Sequence, residues 1–148
     1  MSRKPESLTL NNFVKRKLGR PLGASGSLRV MLSRSLGAPS PRIFWQYWNP
    51  IFGYYLGKYV FANLRKVFPS FFSIVLTFLA SGLIHDLVTI AVKGYTRFFF
   101  TLFFLFSSII LIVCEWVHLD LSGYSKATRT TFNLLYLFIS FMAAYLLI

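Results

Sequence analysis

The chain has 148 residues, of which 55% are hydrophobic and 19% aromatic, and a mean hydropathy of +0.59. Soluble domains average about 45–50% apolar residues, and here the excess lies mostly after residue 67, which argues against an ordinary soluble domain. There are 16 Lys and Arg against 4 Asp and Glu, with twelve of those bases in residues 1–66, and the lone cysteine, Cys114, excludes an internal disulfide.

Residues 1–42 are basic and rich in Ser, Gly and Pro. They read as a cytoplasmic arm, partly disordered, drawn to anionic headgroups or simply solvated. Leu8 to Leu18 is the stretch able to form a short surface helix, and Pro21, Gly23, Gly26, Gly37, Pro39 and Pro41 punctuate the rest. The arm carries no recognisable nucleic-acid motif, so no nucleic-acid partner is expected. The first 40 residues also lack the apolar core of about 7–15 residues that a signal peptide needs. The first span is therefore expected to act as its own insertion signal.

Residues 43–66 read IFWQYWNPIFGYYLGKYVFANLRK. Trp45, Tyr47, Trp48, Tyr54, Tyr55 and Tyr59 suit the headgroup level, where ring and polar tip are both satisfied. From Ile51 the pattern is helical, with Lys58, Ala62 and Arg65 on one face, and predicts an interfacial or shallow re-entrant amphipathic helix. Pro50 fits as the first helical residue if Asn49 stands at the N-cap.

Three apolar segments follow, at 69–92, 98–118 and 130–148. Each approaches the ~20 residues that cross a bilayer core. The links are short and predict antiparallel neighbours. The predicted fold is therefore all-α: three membrane spans after a basic arm and an interfacial helix. The basic flank places the N-terminus in the cytoplasm, the 93–97 link outside, the 119–129 link inside and the C-terminus outside.

His85 and Asp86 lie deep in the first span, where an ionised acid costs ~2.5–3.5 kcal/mol. Thr77, Ser81, His85 and Thr89 recur every fourth residue and form one polar stripe. Gly82 beside it permits close approach by a helix or a ligand. Such a stripe either hydrogen-bonds neighbouring spans or lines a cavity in which His85 is a general base. Asp86 points about 100° away from His85 on a helix, which argues against its orienting the same imidazole and leaves a structural role, such as pairing with Lys58 or Arg97, as the alternative. Asn49 is either a helix cap or a ligand for a carbonyl or hydroxyl. Cys114, Glu115, His118 and Asp120 cluster at the end of the second span. No HxxxH or HExxH pair is present, so solvated boundary groups, not a metal site, are expected.

Phe44, Trp45, Trp48 and Asn49, followed by a stretch ending in Arg65 and Lys66 and then by Ser81, Gly82, His85 and Asp86, resemble the membrane-bound O-acyltransferase superfamily. The pattern is similar to its wax-synthase-like and bacterial members. The resemblance covers residues 40–92; residues 98–148 match only as hydrophobic helices. It implies acyl transfer from a thioester such as acyl-CoA to a hydroxyl acceptor, with no other cofactor. It implies His85 as catalytic histidine and Asn49 as the second signature polar residue. Trp45, Trp48 and Ser81 are then expected at the substrate site, and Lys58, Arg65 and Lys66 near the donor's phosphates, although lipid headgroups explain these bases equally. Family members have eight or more spans, and this chain supplies three. A truncated relative, one half of a split enzyme and a self-associating minimal form all fit that difference. The competing expectation is a non-catalytic membrane protein whose helices pack against partner subunits and whose arm binds anionic lipid.

Overall fold

The computed structural model describes residues 8–148, which are mostly helical and contain no strand. The Gly, Pro and Ser residues of the N-terminal region act chiefly as helix ends. Helix α1 (Leu10–Leu18) starts at Thr9, whose Oγ1 accepts from the Asn12 N–H, and stops at Gly19, whose φ of 68° closes the C-terminus. Helix α2 (Ser27–Leu36) begins after Gly26 and ends at Gly37. Where the sequence suggested a partly disordered arm, residues 8–42 thus carry two helices, with Val14 and Leu18 buried.

Helix α3 (Pro41–Tyr47) is capped by Ser40, with Pro41 at its first position. It breaks at Asn49, which adopts φ 40°, ψ 69°. That left-handed conformation suits Asn better than most residues. The Asn49 Oδ1 then accepts from the Phe52 N–H and starts α4 (Pro50–Tyr55), as the cap reading required. The helix continues as a π-helical stretch over Leu56–Phe61, where the Ala62 N–H reaches the Gly57 carbonyl, and ends in the single turn α5 (Ala62–Leu64).

Together α3 and α4 form a hairpin. On the first limb, Arg42 pairs with Glu115 and Trp45 packs on Phe78 and Phe104. At the tip, Phe52 meets His85 edge-on. On the return limb, Gly53 and Phe61 share a hollow with Ile74 and Phe78. The interfacial or shallow re-entrant helix expected over 43–66 is thus broken at Asn49 into two limbs that reach the level of His85.

Helices α6 (Ser70–Lys93), α7 (Phe99–Trp116) and α8 (Lys126–Tyr145) run alternately up and down. The first two are long and apolar enough to cross a membrane. Helix α8 is as long, but its first two turns carry Lys126, Thr128, Arg129, Thr130, Thr131 and Asn133. Buried Asn133 donates to the carbonyls of Leu36 and Ala38, both at 2.9 Å, tying α8 to the α2–α3 junction. Leu87, Ile109, Val113, Leu134 and Ile139 are exposed, a surface suited to lipid.

Gly82 is a close contact between α6 and α7. A Cβ there would lie 2.6 Å from the Thr101 Cα and 2.8 Å from the Phe100 carbonyl oxygen. Both are backbone atoms, so no rotamer change relieves the clash. Gly82→Ala is expected to part the two helices and cost about 1–3 kcal/mol, the usual range for overpacking. Detergent-titrated unfolding of the purified protein measures this; an unchanged midpoint would contradict it.

Candidate active site

The SGxxHD segment of α6 is a positioning unit, and each residue has a separate task. The Ser81 carbonyl lies 2.7 Å from the His85 Nδ1. A carbonyl oxygen only accepts, so in the neutral ring Nδ1 carries the proton and Nε2 the basic lone pair. Gly82 admits the start of α7. Asp86 secures that start: Oδ2 accepts from the Thr101 N–H at 2.8 Å and the Thr101 hydroxyl at 2.6 Å, and Oδ1 from the Phe100 N–H at 3.3 Å and the Thr96 hydroxyl at 2.9 Å.

Helix α7 begins after Phe98, which offers no capping side chain. Asp86 is therefore its N-cap supplied from the neighbouring helix, and its charge faces the positive end of the helix dipole. The pairing of Asp86 with Lys58 or Arg97 that the sequence left as an alternative does not occur. Burial explains this, since Asp86 is 1% exposed and its oxygens are already filled.

The rest of the polar stripe is satisfied within its own helix. The Thr77 hydroxyl donates to the Ser73 carbonyl at 2.6 Å, and the Thr89 hydroxyl to the His85 carbonyl at 3.0 Å. Neither needs a partner helix for that bond.

The His85 ring is packed among Phe52, Phe100 and Phe104, with centroid separations of 5.6, 5.4 and 5.2 Å. It lines three cavities. One of about 220 Å³ is shared with Trp45, Trp48, Asn49, Ser81 and the π-helical stretch. One of about 390 Å³ has aromatic walls that include Trp48, Phe103, Phe138 and Phe141. The largest, about 840 Å³, runs from Asn49 and His85 to Lys93, Thr96 and Arg97. The structure thus brings together His85, Asn49, Trp45, Trp48 and Ser81, which the sequence placed 40 residues apart at the extremes.

Their chemistry differs. The Asn49 Oδ1 is occupied by its own helix cap, which leaves the amide NH₂ as the part able to donate to a carbonyl. The single donor of Trp45 is spent on the Tyr136 hydroxyl at 2.7 Å, so Trp45 contributes an apolar wall. Trp48 stacks on the fully buried Phe44.

Lys58, Arg65 and Lys66 line none of these three cavities. The Lys58 Nζ lies 3.4 Å from the Tyr54 hydroxyl, and that hydrogen bond raises its pKa. Arg65 donates to the Phe68 carbonyl and Lys66 to the Asn63 Oδ1. Each is satisfied by a near neighbour in sequence, which apolar periodicity alone could not reveal.

At the other end of α7, Glu115 is held by Arg42, and Asp120 accepts from the Ser122 N–H, which lowers its pKa. Among the described residues no three His, Cys, Asp or Glu side chains gather to hold a metal ion.

Sequence reasoning overlooked Tyr136. Its hydroxyl accepts from Trp45 and donates to the Ser107 carbonyl at 2.8 Å, joining α3, α7 and α8 behind the cavities. The signal was present, because Asn133, Tyr136 and Ser140 form a second polar stripe, all buried. Tyr136→Phe removes both bonds and strands the indole N–H. It is expected to cost about 1–3 kcal/mol and to shift Trp45, readable as a change in intrinsic tryptophan emission; an unaltered spectrum and stability would refute it.

No protein-family model, curated protein or solved structure matches this chain.

Proposed function

We propose that this chain is a multi-pass membrane protein that transfers an acyl group from a thioester, such as acyl-CoA, to a hydroxyl acceptor. The observation that carries this reading is the state of His85. Its Nδ1 is fixed on a backbone carbonyl, its other nitrogen is the basic one, and its ring borders cavities shared with Asn49.

In this reaction the acceptor hydroxyl gives its proton to the His85 Nε2 as its oxygen attacks the thioester carbonyl. Collapse of the tetrahedral intermediate breaks the C–S bond, and the departing thiolate takes the proton back from the imidazolium. The products are an ester and a free thiol, and the histidine is regenerated. The Asn49 NH₂ would donate to the carbonyl oxygen as charge gathers there. The aromatic cavity of about 390 Å³ suits a hydrocarbon chain. The resemblance of the Phe44–Asn49 and Ser81–Asp86 segments to membrane-bound O-acyltransferases supports the same chemistry.

In this proposal α6, α7 and α8 each cross the bilayer, with the N-terminus in the cytoplasm. Contacts between the two basic regions support that orientation: the Leu121 N–H donates to the Pro39 carbonyl, and the Lys126 Nζ to the Ser33 hydroxyl. The opposite link holds only Lys93 and Arg97. A second copy, or further spans, would close the side of the site that α3, α4, α6, α7 and α8 leave open. The basic arm would rest on anionic headgroups.

The test is ester formation from labelled acyl-CoA in membranes containing the protein or its His85→Ala variant. The wild type is expected to form ester and the variant to lose it. Equal product from both would remove His85 from the mechanism.

A further inference from the structure

The largest cavity at His85 is lined at its far end by two cations. Lys93 closes the last turn of α6, and Arg97 stands in the link to α7. Neither forms an ion pair among the described residues, where the one salt bridge is Arg42–Glu115. Asp86, the one acidic side chain lining the cavity, is filled by four hydrogen bonds, and Ile148, which also lines it, forms no ion pair with either cation. Lipid contact explains a base at the end of a span, but not why both bases line the same cavity as the basic nitrogen's ring. A cavity with apolar walls and two cations outside any ion pair attracts anions.

Resting on the acyl-transfer reading, we infer that the hydroxyl acceptor is an anionic compound whose phosphate or carboxylate binds Lys93 and Arg97 while its hydroxyl meets His85. The spacing sets its size. Lys93 lies eight residues beyond His85 on α6, about 12 Å along the axis at 1.5 Å per residue. The flexible stems of Lys93 and Arg97 can shorten that span. The acceptor therefore separates hydroxyl and anion by roughly a medium-length hydrocarbon chain, and enters from the end opposite the basic arm.

The full chain in membranes is assayed with labelled acyl-CoA and two acceptors of equal length, an ω-hydroxy fatty acid and the matching fatty alcohol. A third arm uses the ω-hydroxyalkyl phosphate, which separates phosphate from carboxylate recognition. The wild type is expected to favour an anionic acceptor in kcat/KM by about tenfold or more, the effect of one charge-assisted contact. In Lys93→Gln/Arg97→Gln that ratio should fall towards one. In the charge-keeping Lys93→Arg/Arg97→Lys it should persist, which separates lost charge from lost folding.

A wild type that turns over only the fatty alcohol, or a Gln variant that keeps the preference, overturns the acceptor assignment and leaves acyl transfer standing. A Gln variant whose main defect is a raised KM for acyl-CoA assigns the anion to the donor and also overturns it. Absence of ester with every acceptor overturns the acyl-transfer reading, and the acceptor assignment falls with it.

Discussion

Asp86→Ala is expected to destabilise the protein by about 3–5 kcal/mol, the range for breaking a buried charged network. The substitution removes one side chain but leaves four donors without an acceptor: the N–H groups of Phe100 and Thr101 and the hydroxyls of Thr96 and Thr101. Each buried donor left unpaired costs about 1–3 kcal/mol, reduced where water or relaxation reaches it. The start of α7 also loses the only anion near its dipole, worth about 0.3–1 kcal/mol.

Asp86→Asn tests the reasoning more finely. It keeps one carbonyl oxygen but turns an NH₂ group towards donors on the other side, so an intermediate loss is expected. Detergent-titrated unfolding and the protease resistance of the 94–98 link read both variants. Wild-type stability in Asp86→Ala would show that α7 does not depend on this cap. Because Gly82 and Asp86 hold the same helix start, combining Gly82→Ala with Asp86→Ala should cost less than the sum of the two.

The apolar runs of α6 and α7 were legible because length and hydropathy are local properties of the chain. The start of α4 was legible for a similar reason: Asn49 and Pro50 are adjacent, and a cap followed by Pro is a short-range signal. The partner of Asp86 was not. Its donors lie 10 to 15 residues away on another element, and no periodicity links them. The absence of a capping residue at Phe98 was the one hint that a neighbour supplies the acceptor.

At the N-terminus the short helix within Leu8–Leu18 was legible, whereas α2 was not: Gly26, Gly37 and Pro41, read as punctuation, stand at or beside helix ends. The aromatic segment's composition suggested a headgroup belt and was silent on tertiary partners: Trp45 donates to Tyr136, and both tryptophans line the hollows beside His85. Lys93 and Arg97, far from the FWQYWN segment in sequence, share a cavity with His85, which no local pattern links to them.

The second large effect concerns His85 itself. His85→Gln keeps a polar side chain of similar reach but removes the imidazole nitrogen that would take the acceptor's proton. General-base assistance is typically worth about 10²–10⁴ in rate. A residue that only fills space among Phe52, Phe100 and Phe104 would leave turnover unchanged and alter stability or assembly instead. The most direct measurement is the rate of ester formation from labelled acyl-CoA in membranes holding equal amounts of folded wild type and His85→Gln. The account predicts a fall of about a hundredfold or more in the variant. Ester formation at the wild-type rate in His85→Gln would contradict it.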